Sequence, residues 1–330
     1  MFLLIRKSKL YIVLFLLLSM TSCCSSTCRD SIEIPCHWHT ALTDGASEDP
    51  TGFLWWEALE DPLLAGLIDE AVCRNPDIRL AAVQSKKMMV DAIDAVTADV
   101  AKSYIELRGL QRRLLILQES IELQNSLMAV AEGLLDKGFI SSIHQNENKK
   151  NLEALIVQKS LIELSIKKAI FHISTLLSYP PGNLYDTLSQ FQDLPKIPCA
   201  ILVGTPLELI ERHPDVQEVK KLYERANVQV AFYDYQKKVL SVLEEAENSI
   251  AAVIHSLDKV YHLENSATVK RESYQLVKDL YIQGFKDEQE ILAIQQELLA
   301  QENLLIESKV ELLINYVNLY QALRPLGGPP

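Results

Sequence analysis

Proline and glycine are scarce and unevenly placed. The 330 residues hold 13 prolines and 11 glycines, yet no proline occurs from Asp77 to Tyr179 or from Asp215 to Leu323. Only Gly284 lies between Thr205 and Leu326. An all-β chain needs turn residues every 8–12 positions or so, so sandwiches, propellers and most barrels are excluded. Positive charge is short as well. Lys and Arg total 32 against 44 Asp and Glu, a net of −12, which argues against a nucleic-acid-binding surface. Catalytic signatures are missing: there is no G-x-S-x-G, H-E-x-x-H, Walker A or G-x-G-x-x-G, so an enzyme and a bound cofactor are not expected. At 48% hydrophobic residues the chain is not disordered. Long helices are what remains.

The first residues read as an address. Arg6, Lys7 and Lys9 precede the apolar run from Tyr11 to Leu18, too short for the roughly 20 residues of a membrane span. The stretch Leu18-Ser-Met-Thr-Ser-Cys23 resembles a bacterial lipobox, with Cys23 as the lipid-bearing residue and Cys24 as an alternative. Removal of residues 1–22 leaves 29 basic and 44 acidic residues, a net of −15. Residue 24 is Cys rather than Asp, which by the usual sorting rule implies the outer membrane. An exported chain meets an oxidising compartment, where Cys28 and Cys36 could pair. Cys36-His37-Trp38-His39 lacks a second ligand pair at zinc-site spacing, so residues 23–52 are expected to form a flexible tether and not a metal site.

The rest repeats itself. Asp61-Pro62 and Asn75-Pro76-Asp77 are helix starts, with an N-cap residue before proline. Thr205-Pro206-Leu207-Glu208 is a capping box, and His213-Pro214-Asp215 mirrors Asn75-Pro76-Asp77. Lys137-Gly138-Phe139 and Gln283-Gly284-Phe285 follow at matching distances. The spacing predicts two tandem helical repeats, 53–179 and 205–324, joined by a proline-rich linker at 180–204 and followed by a tail at 325–330. In the last helix Ile291, Leu298, Leu305, Leu312 and Leu319 form a sevenfold column, with Leu292, Leu299, Ile306, Leu313 and Tyr320 beside it. Sevenfold spacing indicates coiled-coil-like packing. Gln295, Gln301, Glu302, Asn303 and Lys309 are expected on the polar face. His255 and His262 share a helix face and are expected to be solvated or half-buried rather than to form a metal site.

Five ordered stretches resemble one family. They are Trp55-Trp56 through Ala81, Tyr104-Ile-Glu-Leu-Arg108-Gly109, Leu176 through Leu184, Pro206 through Val216, and Leu319-Tyr320-Gln-Ala-Leu323. Together they are similar to TolC-like outer membrane factors, the OprM/NodT type of outer-membrane efflux lipoprotein. The resemblance implies an all-α body of long antiparallel helical hairpins and a homotrimer forming a periplasmic tunnel. It also implies a periplasmic adaptor and an inner-membrane pump as partners, and export of small molecules. The chain would sit on the periplasmic face of the outer membrane, anchored by its lipid (the family commonly carries palmitate). By the same resemblance the tip turns, Lys137, Gly138, Phe139 and Ser141 with Gln283, Gly284, Phe285 and Asp287, would contact the adaptor. Phe stands where the family has Leu in both turns, and Gln283 replaces the usual basic residue.

One family element is missing. Each repeat of the family carries two membrane strands after its opening helices. Here Leu80–Lys87 leads almost directly to Asp91, and Arg225–Ala231 to Tyr235. No segment shows the roughly 9–11 residues of alternating polarity that a membrane strand needs. The expectation is therefore twofold: an exit component of a tripartite efflux system, or a barrel-less periplasmic scaffold lipoprotein or non-functional relic of such a channel.

Overall fold

The computed structural model describes residues 32–40, 54–136, 142–198, 203–226 and 229–324. A 3-10 turn at Trp55–Leu59 opens the body. The helices that follow are α1 (Pro62–Arg74), α2 (Pro76–Gln84), α3 (Lys86–Asp136), α4 (Ser142–Leu176), α5 (Tyr185–Leu188), α6 (Pro206–Arg212), α7 (Pro214–Ala226), α8 (Gln229–Ile282) and α9 (Glu288–Leu323). No strand occurs among the described residues. The fold is all-α, as the glycine and proline gaps require.

Local chemistry sets the short helices. Asp61 Oδ1 accepts from the Leu63 and Leu64 amides at 3.0 Å, and Pro62 occupies the first position of α1. Asn75 Oδ1 accepts from Asp77 N at 2.8 Å and starts α2. Thr205 and Glu208 cap α6 reciprocally. The order short helix, short helix, long helix, long helix then appears twice: α1-α2-α3-α4 and α6-α7-α8-α9.

The long helices have 51, 35, 54 and 36 residues. At 1.5 Å per residue they run roughly 76, 52, 81 and 54 Å. They lie antiparallel in one layer, in the order α4, α3, α9, α8. Gln124 Nε2 donates to Asn148 O at 3.4 Å and ties α3 to α4. Arg113 pairs with Asn303 and Glu307 between α3 and α9. Lys259–Glu311 and Arg271–Glu302, both at 2.7 Å, link α8 to α9. Both sevenfold columns of α9 turn inward. Leu305, Leu312, Leu319, Ile306, Leu313 and Tyr320 are buried, and Leu298 and Leu299 are half-buried.

Two expectations are corrected. Gln295 is not on a polar face: it is buried, and its amide donates to Ser120 O on α3 at 3.2 Å. A core position can hold an amide when a neighbouring helix offers an acceptor. The long third helix starts at Lys86, directly after Ser85, whose hydroxyl accepts from Met88 N. Within the stretch expected to be a tether, residues 32–40 lie against the body. Ile32, Ile34 and Trp38 pack on the core, Trp38 Nε1 donates to Gly204 O at 2.7 Å, and Thr40 Oγ1 donates to Glu247 at 2.8 Å. Cys36 is exposed; Cys28 lies outside the described residues.

Candidate functional site: tip, waist and corners of the helical body

Three regions stand out along the body. The first is the turn between α8 and α9. Gly284 has φ +80°, a conformation that costs residues with a Cβ. Its amide donates to Tyr281 O and the Phe285 amide to Leu280 O, each at 2.9 Å, the paired bonds that close a helix through a left-handed residue. Asp287 then caps α9: Oδ1 accepts from Glu290 N at 2.9 Å, and Glu290 Oε2 accepts from Asp287 N at 3.1 Å. Lys286 contacts the Glu290 carboxylate and holds it below its usual range. Phe285 is left 75% exposed at the apex. Asp287 thus has a structural task that its D-x-x-E pattern could have announced. The matching turn, with Lys137, Gly138, Phe139 and Ser141, lies outside the described residues, as does Cys23.

The second region is the waist, where the linker wraps α3. Arg108 is 1% exposed, and its hydrogen-bond partners among the described residues are neutral. Its guanidinium donates to Gln111 Oε1 at 2.7 Å, Gln190 O at 2.9 Å and Gln192 Oε1 at 3.1 Å, and it lies over the Tyr104 ring at 4.7 Å. Gln111 donates to Leu188 O at 2.7 Å. Tyr104 donates its hydroxyl to Asp61 Oδ2 at 2.8 Å, and burial raises its pKa. Asp61 therefore caps α1 with one oxygen and holds Tyr104 with the other. Trp55 stacks on Tyr320 (6.0 Å between centroids, 16° between planes) and meets Trp56 edge-on. This polar clamp was not foreseen from the sequence. Its partners are some 80 residues apart, and those on the linker belong to no periodic pattern.

The third region is the pair of corners at the other end. α2 passes to α3 through Ser85 alone, and α7 to α8 across residues 227–228. Each pair folds back as a helical hairpin. Asp215 on α7 joins them: it pairs with Lys87 of α3 at 3.1 Å and with Lys238 of α8 at 2.9 Å. Burial opposes its charge, but the two lysines outweigh that and hold its carboxyl well below the usual range. His213 beside it is buried. Burial and the charges of Arg324 and Lys238 push its pKa down to about 4.

A layer of four long antiparallel helices, with a short helical pair leading into each long pair, occurs in solved structures. The outer-membrane channel OprN superposes with a TM-score of 0.73 at 18% identity, covering 89% of this chain and 98% of that one. The CmeC outer membrane channel of Campylobacter jejuni gives 0.71 at 13% identity, covering 89% and 92%. The MtrE outer membrane channel of Neisseria gonorrhoeae gives 0.68 at 14%, covering 89% and 96%. This is the fold of the TolC-like outer membrane factors. In sequence, nodulation protein T of Rhizobium leguminosarum bv. trifolii is 21% identical over 160 residues, 48% of this chain. That match spans about a third (34%) of nodulation protein T. No protein-family model matches the chain. Against the outer-membrane-factor expectation, the corners are where strands would enter. The structure leaves one residue at the first and two at the second. Among the described residues no helix is long and apolar enough to cross a membrane. His255 and His262 are exposed, as expected, and His262 pairs with Asp258 at 3.5 Å.

Proposed function

We propose that this chain is the outer-membrane-factor-like component of a tripartite efflux system, its helices closing as a homotrimer into a periplasmic tunnel for small molecules. Lipid on Cys23 holds it to the periplasmic face of the outer membrane. The observation that carries this reading is the state of the two edge helices. On one side of the layer α4 exposes Ile156, Val157, Leu161 and Leu164; on the other α8 exposes Leu240, Tyr261, Val269 and Leu276. Leaving such rows in water is unfavourable by about 25 cal/mol per Å2 of apolar surface. Two different edges on one subunit pair head to tail, and a head-to-tail contact that closes makes a ring. The tip turns would meet the adaptor through Lys137, Gly138, Phe139, Ser141, Gln283, Gly284, Phe285 and Asp287.

A second reading rests on the corners. With one residue at Ser85 and two at 227–228, these joins supply no strand, and a bilayer is spanned only by helices or closed barrels. The ring would then be a barrel-less periplasmic scaffold. Single-channel conductance of the purified lipidated protein in a planar bilayer, with oligomeric state from native mass, separates the two. Discrete openings from a trimer support export. A silent bilayer with a stable trimer gives the scaffold, and a silent monomer removes both.

A further inference from the structure

The corner end carries a second kind of surface. Residues 79–90, at the α2–α3 corner, expose Leu80, Val83, Met88 and Val90, with Val83 87% accessible. Residues 219–233, at the α7–α8 corner, expose Leu222, Val230 and Tyr233, with Val230 68% accessible. A soluble helix hides such residues on its packed face; here they project where the chain reverses.

Rings and charge accompany them. Tyr223 packs against Phe232 at 5.6 Å and stacks on Tyr235 at 6.2 Å, and Phe232 meets Tyr233 edge-on at 5.8 Å. The two segments hold six basic residues (Arg79, Lys86, Lys87, Lys220, Lys221, Arg225) and one acidic residue, Glu224, in a chain of net charge −12. Of the nearby carboxylates, Asp215 and Glu218 are engaged by Lys87, one of these six, Asp215 by Lys238 as well and Asp91 by Arg324, while Asp77 and Asp234 are exposed just beyond the segment ends. The Lys87 and Lys238 bridges also fix the two corners side by side, so they face the same way.

Apolar side chains at the outermost turns, tyrosines behind them and lysines around them are the composition of a surface that sits in a lipid interface. We propose that the two corners dock together on an anionic phospholipid surface. The valine and leucine side chains enter the acyl boundary, the tyrosines lie at the glycerol level, and the basic residues meet lipid phosphates. A second copy of this chain is the less suitable occupant, since its corner would bring the same excess of positive charge. The contact requires neither a pore nor the lipid on Cys23, so it does not stand or fall with conductance.

The test places the photo-crosslinking residue p-benzoylphenylalanine at Val83, at Val230 and, as the opposite-end control, at Phe285. The full chain is expressed in the cell envelope, irradiated and purified, and adducts are read by intact mass. All three positions are exposed, so the fold is not disturbed. Phospholipid adducts at 83 and 230, at least fivefold above 285, are expected, and K86Q/K220Q/K221Q/R225Q should lower their yield severalfold. Cross-links to a second copy at 83 and 230, equal lipid adducts at 285, or no adducts would each overturn the proposal. Lipid adducts from a protein that never conducts would keep the docking surface and remove the export reading alone.

Discussion

Gly109 of α3 lies so close to Val310 of α9 that a Cβ on it would stand 2.4 Å from Val310 Cγ2. No side-chain carbon is tolerated at that distance, and the obstacle is a β-branched residue with little rotamer freedom. Alanine would gain up to about 1 kcal/mol in helix propensity. The overpacking penalty of about 1–3 kcal/mol exceeds it, so Gly109→Ala should destabilise. Gly66 in α1 has no atom within 4 Å of the same position. There Gly66→Ala should stabilise by about 0.4–1 kcal/mol. Urea melts of both variants check the sign, and Gly109→Ala with Val310→Ala should recover part of the loss.

Arg108 should matter to stability well beyond its one side chain. Arg108→Met removes the donor from Gln190 O and from the Gln111 and Gln192 amide oxygens. Gln111 Oε1 is the buried acceptor, and leaving it unmade costs about 1–3 kcal/mol, whereas Gln190 O keeps the Gln111 amide and Gln192 Oε1 keeps the Tyr104 hydroxyl as donors. Loosening of residues 185–198, seen as faster amide exchange at Lys196, whose N–H donates to Leu59 O at 3.1 Å, is the accompanying sign. Exchange unchanged in the variant would mean the linker is held elsewhere.

Acid should unfold the corner end first. His213 is neutral in the folded state, with a pKa pushed down to about 4, against about 6.5 in an unfolded chain. A folded group that binds its proton less readily loses stability as pH falls from 6.5 towards 4. For His213 the loss is on the order of 3 kcal/mol across that window. Asp215 acts in the same direction but lower in pH: its contribution is complete above the ordinary carboxylate range and is lost only as pH falls below about 4. His213→Phe should flatten the stability profile from pH 6.5 to 4 and leave the steeper fall below it. A profile parallel to the parent would place the acid sensitivity in other groups.

The edge helices give the assembly its own test. Leu161 on α4 and Tyr261 on α8 are exposed. Leu161→Glu or Tyr261→Glu should leave the melting of the single chain within about 0.5 kcal/mol, as for other surface substitutions. Each should convert a trimer to monomer in native mass. A trimer surviving both would mean these rows are not the interface.

At the tip, shape and contact can be separated. Gly284→Ala forces a Cβ at φ +80° and should cost about 1–2 kcal/mol through the turn itself. Asp287→Ala removes the α9 cap at about 1 kcal/mol. Phe285→Ala should leave the melt unchanged, because nothing folds over that ring. If the tip meets an adaptor, Phe285→Ala weakens that binding in a pull-down with the adaptor of the same system. Equal binding by Phe285→Ala and parent would end the tip reading for this residue.

Helix boundaries were legible at three caps that carried their own signal: Asp61-Pro62, Asn75-Pro76 and Thr205-Pro206-Leu207-Glu208 all start helices. The sevenfold columns of α9 were legible because one face meets two neighbours along its length. The break at Ser85 was not, since Gln84-Ser85-Lys86 has neither glycine nor proline and the turn is imposed by α2 packing back on α3. Gln295 misled because polarity alone says nothing of an acceptor on another helix. The Arg108 clamp lay beyond local reading altogether, its linker partners being fixed only when residues 185–198 fold across α3.

The two corners have a consequence for how such a chain can change. Each is a point where sequence could be spliced in or trimmed while the flanking helices keep their registers, because Asp215, Lys87 and Lys238 already clasp them from behind. The two sites are not independent, however. Strands gained at one corner alone would leave unpaired edges with no sheet to close against, open to pairing with stray chains. Through Asp215 a change of length at one corner is felt at the other, because the same carboxylate holds Lys87 and Lys238.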